Sequence, residues 1–257
     1  MEPAITTLRS QGKKGLVVLI DNLDRIDPVE HPDGRTQSEY IFVDRGRHLK
    51  QLNCHMVYTI SLALILSEDS SRLSSQFGVS PKVLPSVPVT RRDGTISEPG
   101  LALLQQMVLA RAFPNKNYNE RLDHIQVIFE NVDVLNRLCH LSGGHMRNLM
   151  RLLYGCLQKQ DLPIQRSALD AVIRDERDSL MALVDEQEWK LLFQAIEPDI
   201  QGHEDYGLLL RSLFLYEYRD QNGRWFTLNP ILEETNRFKS WKSAQPKVID
   251  SADTNNS

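Results

Sequence analysis

The first fourteen residues are polar and lead through Gly15 into five consecutive apolar residues, Leu16-Val17-Val18-Leu19-Ile20, which stop at Asp21. A β-rich run with no polar interruption predicts a strand buried on both faces, as in a central parallel sheet. His55-Met56-Val57-Tyr58-Thr59-Ile60 predicts a second buried strand. Residues 83–89 are apolar but contain Pro85 and Pro88, so they predict a third strand at an edge, where a missing N–H donor is tolerated. Between these runs, residues 27–37 are a polar loop with Pro28, Pro32 and Gly34, residues 42–52 predict a helix, and residues 67–76 are polar and serine-rich.

After residue 97 the period changes. Pro99 suits a helix start, and Leu101, Leu104, Val108 and Ala112 recur at three- and four-residue intervals up to Phe113. Further helices are predicted over 118–129, 132–141, 146–158, 164–184, 187–196 and 204–212, with breaks at Gly143-Gly144 and at 161–163. Residues 215–218 and 225–228 alternate apolar and polar around Asp220-Gln221-Asn222-Gly223, which predicts a hairpin. From Lys239 the chain turns polar, and residues 239–257 are expected to be a disordered tail.

Composition narrows the picture little. With 30 Lys and Arg against 34 Asp and Glu, the chain carries a net −4, which gives no general sign of nucleic-acid or membrane binding. Cys54, Cys139 and Cys156 are too far apart for a zinc or disulfide pattern, and a reducing cytoplasm is expected. The longest apolar run, residues 60–66, is too short to span a bilayer, and no membrane association is expected.

The stretch with most chemistry is Leu16 to Arg25. A carboxylate at the C-terminal end of a parallel strand sits where open α/β sheets bind ligands, so Asp21 is a candidate magnesium ligand beside a nucleotide's phosphates. Asp24 is placed to orient an attacking water or a second magnesium ligand, and Arg25 to pair with an acid or a phosphate. The same residues also fit a buried strand followed by an acidic helix cap. The stretch resembles the Walker B segment of P-loop ATPases of the AAA+ and STAND kinds. In that resemblance Asp21 is the magnesium-associated acid. Many AAA+ members place Glu next as the catalytic base, and here Asn22 stands there, so Asp24 would have to substitute.

The resemblance extends along the chain. The second strand corresponds to the one carrying sensor 1, with Thr59 and Ser61 as candidates; either hydroxyl equally suits a bond to nearby backbone. Ser142-Gly143-Gly144-His145-Met146-Arg147 resembles the sensor 2 region of a lid, with Arg147 the matching arginine and Arg151 one turn further on the same face. Arg72, before the third run, stands where an arginine finger can occur, or is a solvated surface arginine. The implied fold is α/β: a partial P-loop NTPase sheet over 1–97, an α-helical lid over 98–184, and a small winged-helix-like α+β unit over 185–238.

The implied ligands are ATP and Mg2+. Yet Gly-x-x-x-x-Gly-Lys-Ser/Thr, whose amides and lysine cradle phosphates, is not in the sequence, and Gly12-Lys13-Lys14-Gly15 lacks its spacing. The expectation is therefore the later portion of a nucleotide-responsive regulatory ATPase that does not hydrolyse ATP alone. It would be a truncated or split chain, a partner of a polypeptide that carries the P-loop, or a degenerate scaffold. The alternative is a non-enzymatic DNA-binding or protein-binding adaptor. For DNA the charge is unfavourable, since residues 185–242 hold seven Lys or Arg against eleven Asp or Glu.

Overall fold

The computed structural model describes residues 2–26, 34–61, 64–65, 67–196 and 206–244. The chain divides into two compact units, Met1–Leu84 and Pro85–Ser257. The fold is mixed α/β and mostly helical.

In the first unit, strands β1 (Val17–Ile20) and β2 (His55–Tyr58) pair in parallel, with Val17 opposite His55 and Ile20 opposite Tyr58. Burial on both faces, expected from the sequence, is not found. Val17, Leu19 and Val57 are 58%, 71% and 50% exposed, while their neighbours along each strand are partly buried. Side chains alternate across a strand, and one face of this pair has no cover among the described residues. The other face borders a small core of Phe42, Val43, Leu64 and Leu73, against which Leu23, Leu49, Tyr58, Ile60 and Phe77 pack.

The helices of this unit depart from expectation too. Residues expected as a polar lead-in form a helix, Glu2–Ser10, in which Ile5 is buried. The helix expected over 42–52 starts earlier and is broken. Thr36 and Glu39 exchange side-chain and backbone hydrogen bonds to cap Gln37–Glu39, a wide turn follows over Tyr40–Asp44, and Gly46–Leu49 closes the segment. The serine-rich stretch becomes the helix Ser70–Phe77, with Leu73 buried and Gly78 ending it in the left-handed region.

The second unit is helical with one hairpin. The expected third strand over 83–89 does not join a sheet. Its prolines remove donors, and its backbone is used elsewhere: Val87 N donates to Gly144 O (3.2 Å), and Val89 O accepts from Ser97 N (2.9 Å). The helices Glu98–Ala112, Val132–Leu141, Met146–Lys159, Arg166–Leu183 and Glu186–Ile196 match the period closely. The helix expected over 118–129 splits into Tyr118–Asp123 and a single tight turn, Ile125–Val127. Leu104, Leu109, Leu135, Leu138, Leu149 and Leu152 are fully buried between these helices.

The helix Tyr206–Arg211 precedes the hairpin β3 (Leu215–Asp220) and β4 (Gly223–Leu228). Asp220 pairs with Gly223, so Gln221 and Asn222 make the turn rather than Asn222-Gly223. Residues 239–244, expected in the tail, belong to the helix Asn236–Ala244. Trp241 of that helix stacks flat on Phe193 at 4.5 Å. The tail from 245 onward lies outside the described residues.

Candidate functional site

The strand tips of the first unit are joined by a specific contact. Thr59 N donates to Ile20 O (3.1 Å), extending the ladder one step past β2. Asn22 then takes a left-handed conformation (φ 65°), which turns the chain sharply at the end of β1. The turn is fixed by Asp21, whose Oδ1 accepts from Asn22 N at 2.7 Å. One residue on, Leu23 N donates to Thr59 Oγ1 at 3.2 Å. Asp21 and Thr59 are thus brought to adjacent strand ends, with the Asp21 side chain exposed.

The other residues of this constellation fall as follows. Asp24 is exposed in the turn Leu23–Arg25. The side chain of Arg25 lies outside the described residues. Ser61 is partly buried and engaged in a contact of its own. The hydroxyl of Thr59 already serves backbone, one of the two roles its sequence position allowed. Arg72 pairs with Asp69 (2.8 Å).

These strand ends suit magnesium in one respect. That ion keeps several waters and takes one or two carboxylates, and Asp21 offers an exposed carboxylate with only Oδ1 engaged. Among the described residues, no three His, Cys, Asp or Glu side chains gather into a ready ligand set.

Arg147 belongs to the second unit. It is exposed in the first turn of Met146–Lys159, and its guanidinium has no described partner. Arg151, one turn on, donates to Glu176 Oε2 (2.6 Å) and Asn148 Oδ1 (2.8 Å). His145 caps the helix, its Nδ1 accepting from Asn148 N at 3.3 Å. Burial, then the charges of Arg147 and Arg151, hold the His145 pKa below its ordinary value, so the ring stays neutral.

The two glycines before this helix have a cause that sequence reading missed. Both are left-handed, with φ 62° at Gly143 and 69° at Gly144. A Cβ on Gly143 would lie 2.2 Å from the Tyr216 ring, and one on Gly144 would lie 1.7 Å from Val87 O. The space beside the glycines is filled by the protein's own hairpin and by the Val87 segment. Tyr218 OH donates to Gly143 O (2.9 Å), and Asn148 Nδ2 donates to Tyr216 OH (3.1 Å). Burial pushes the Tyr218 phenol up to about 12 and raises that of Tyr216 further, so both remain protonated. Alternation at residues 216 and 218 was legible, but nothing in sequence linked it to residues 143 and 144.

The hairpin tip is held by Arg92. Its guanidinium bonds both carboxylate oxygens of Asp220 (3.0 Å each) and Gly223 O (2.8 Å), and lies over the Trp225 ring at 4.6 Å. Among the described residues, no helix is long and apolar enough to cross a membrane.

No family model and no curated protein matches the chain. Among solved structures, two variants of RuvB from Thermotoga maritima are similar, at 16% and 15% sequence identity. Each alignment covers 95% of this chain and 76% of the RuvB chain, with a TM-score of 0.36.

Proposed function

We propose that this chain is the later part of an AAA+/STAND-type nucleotide-responsive module, with the nucleotide's magnesium held at the β1 tip. The observation that carries this reading is the tied pair of parallel strand ends: Leu23 N on Thr59 Oγ1 holds the two tips together, and Asp21 stands exposed between strand and turn. Ligands of open parallel sheets bind at such carboxyl ends. Magnesium would supply charge neutralisation at the phosphates.

The chain's own residues then have separate tasks. Asp21, with Oδ1 fixed by the Asn22 amide, presents its other oxygen to the ion. Thr59 shapes the turn by accepting from Leu23 N, and its O–H would remain to donate to a phosphate oxygen. Asp24 would position a water, and Arg147, an exposed charge with no described partner, would be available to a phosphate oxygen. Asn22, which has no acid to accept a proton, favours a switch over a rapid hydrolase.

The phosphate-cradling loop would come from outside these 257 residues, in the same polypeptide or in a partner. The uncovered apolar side chains Val17, Leu19 and Val57 support a partner over that sheet face. The hairpin after Glu186–Ile196 and Tyr206–Arg211 supports a winged-helix-like reading of this end, used for packing rather than DNA binding.

The test is fluorescence anisotropy of labelled ATP with the full chain, with and without magnesium. Binding is expected to be weak, metal-dependent and reduced about fivefold or more by Asp21→Ala and by Arg147→Ala. Affinity indifferent to magnesium and to both substitutions removes the reading, as does the absence of saturable binding.

A further inference from the structure

The first unit contains a second, basic recess built from different residues. A cleft of about 580 Å³ is lined by Arg47, Lys50, Arg72, Ser75 and Gln76. Arg47 lies in Gly46–Leu49 and Lys50, three residues on, caps that turn at its C-terminal end, while Arg72 and Ser75 are three apart on Ser70–Phe77. At that spacing, side chains on one helix are neighbours, so each wall presents a pair of polar groups to the same opening.

The floor is fixed. With its amide oriented so that both ends are satisfied, Gln76 donates to Val43 O (2.6 Å) and accepts from Gly46 N (3.1 Å) and Arg47 N (2.8 Å). A Cβ on Gly46 would lie 2.5 Å from the Gln76 amide, so the two walls meet there with no space to spare. Lys50 Nζ donates to Gln76 O (2.9 Å), which draws its charge to the opening.

Charge is left over. Arg35 and Arg72 share the carboxylates of Asp44 and Asp69, two cations against two anions. Arg47 and Lys50 add two further positive charges, and neither has a carboxylate partner among the described residues. Two unneutralised cations in a fixed recess attract a compact anion. Among the described residues the lining has no aromatic side chain on which a base could stack, which disfavours single-stranded nucleic acid. Three cations on two facing walls suit linked phosphate groups better than one.

We propose that this cleft binds an oligophosphate anion, meaning two or more linked phosphates, through Arg47, Lys50, Arg72 and the Ser75 hydroxyl. This site is independent of the strand tips and requires neither Asp21 nor magnesium.

Calorimetric titration of the full chain with inorganic tripolyphosphate in EDTA tests it. Saturable binding is expected, weakened about tenfold in R47A/K50A and about twofold in Ser75→Ala. It is expected to be unchanged in Asp21→Ala, which separates it from the nucleotide reading. Should circular dichroism show the double variant unfolded, Arg47→Gln and Lys50→Gln, each expected to cost about threefold, carry the test. Undiminished affinity in the cleft variants overturns the proposal. So does orthophosphate binding as tightly as tripolyphosphate, or a single-stranded oligonucleotide binding more tightly through the same residues.

Discussion

The described residues contain two two-stranded sheets, and they are stabilised in different ways. In the parallel pair β1–β2, Val17 and Leu19 are more than half exposed. In the antiparallel hairpin β3–β4, Leu215, Tyr216 and Tyr218 are at most 2% exposed. The parallel strands are the shorter, four residues each against six, yet the more apolar, so apolar content does not account for the difference. Cover does. The hairpin is packed into a tight double-glycine turn and tethered at its tip by Arg92, whereas the parallel pair has one apolar face without cover among the described residues. A two-stranded sheet has little stability of its own, and what packs on it decides its strength.

The largest effect expected is from Gly144→Ala. A left-handed alanine with its Cβ driven into Val87 O should lower the stability of the second unit by about 3 kcal/mol or more. Trp189, Trp225 and Trp241 all lie in that unit, so tryptophan fluorescence during urea unfolding reads it selectively. A variant as stable as the parent would break the contrast drawn between the two sheets.

Next is a pair of truncations. Leu104→Ala, in a fully buried position, should cost about 2–5 kcal/mol, while Leu19→Ala on the open strand should stay within about 0.5 kcal/mol. The same unfolding measurement serves the first, and far-UV circular dichroism the second. Equal losses would mean that the exposed face of β1 is covered after all.

An intermediate effect is expected from pH. Burial depresses the pKa of His145 and of His140 in the fold, whereas the unfolded chain takes up those protons near the ordinary value of 6.5. The unfolded state therefore binds more protons below that pH, and stability should fall as pH drops through this window. Partly buried Glu233, whose pKa desolvation raises above 4.5, acts in the opposite sense. His145→Asn keeps a capping oxygen and removes one titration, so the variant should show a shallower acid slope than the parent. An identical slope would exclude His145 from the effect.

A local change is expected at the parallel strand tips. Thr59→Val removes the acceptor for Leu23 N and should cost about 1 kcal/mol, with faster hydrogen exchange at that amide. Unaltered exchange would show that the tips are not tied through Thr59.

The late helices were legible because each repeats its apolar residues over several turns; Val132–Leu141 and Met146–Lys159 are cases in point. Short β-rich runs were less informative. Residues 16–20 look the same whether one face or both are covered, because an apolar run records compatibility with burial and not its occurrence. Pro85 and Pro88 argued against ladder hydrogen bonding, and that argument outweighed the apolar content around them. For the candidate site, Asp21 and Thr59 were each visible at a strand end, but the Leu23 amide that joins them belongs to backbone and leaves no mark in composition. The cleft at Arg47 and Lys50 was invisible for a similar reason: its walls come from segments more than twenty residues apart.

The contact between Tyr218 OH and Gly143 O closes a loop of 75 residues. Closing so long a loop costs chain entropy before the contact is gained, so the hairpin is expected to dock late in folding, after local helices have formed. Until that moment Gly143 lacks the Tyr216 ring beside it, and only the Val87 segment backs the turn, at Gly144. A nascent or proteolytically shortened chain lacking Leu215–Leu228 would thus keep its helical periodicity yet lose the wedge that sets the angle between Val132–Leu141 and Met146–Lys159.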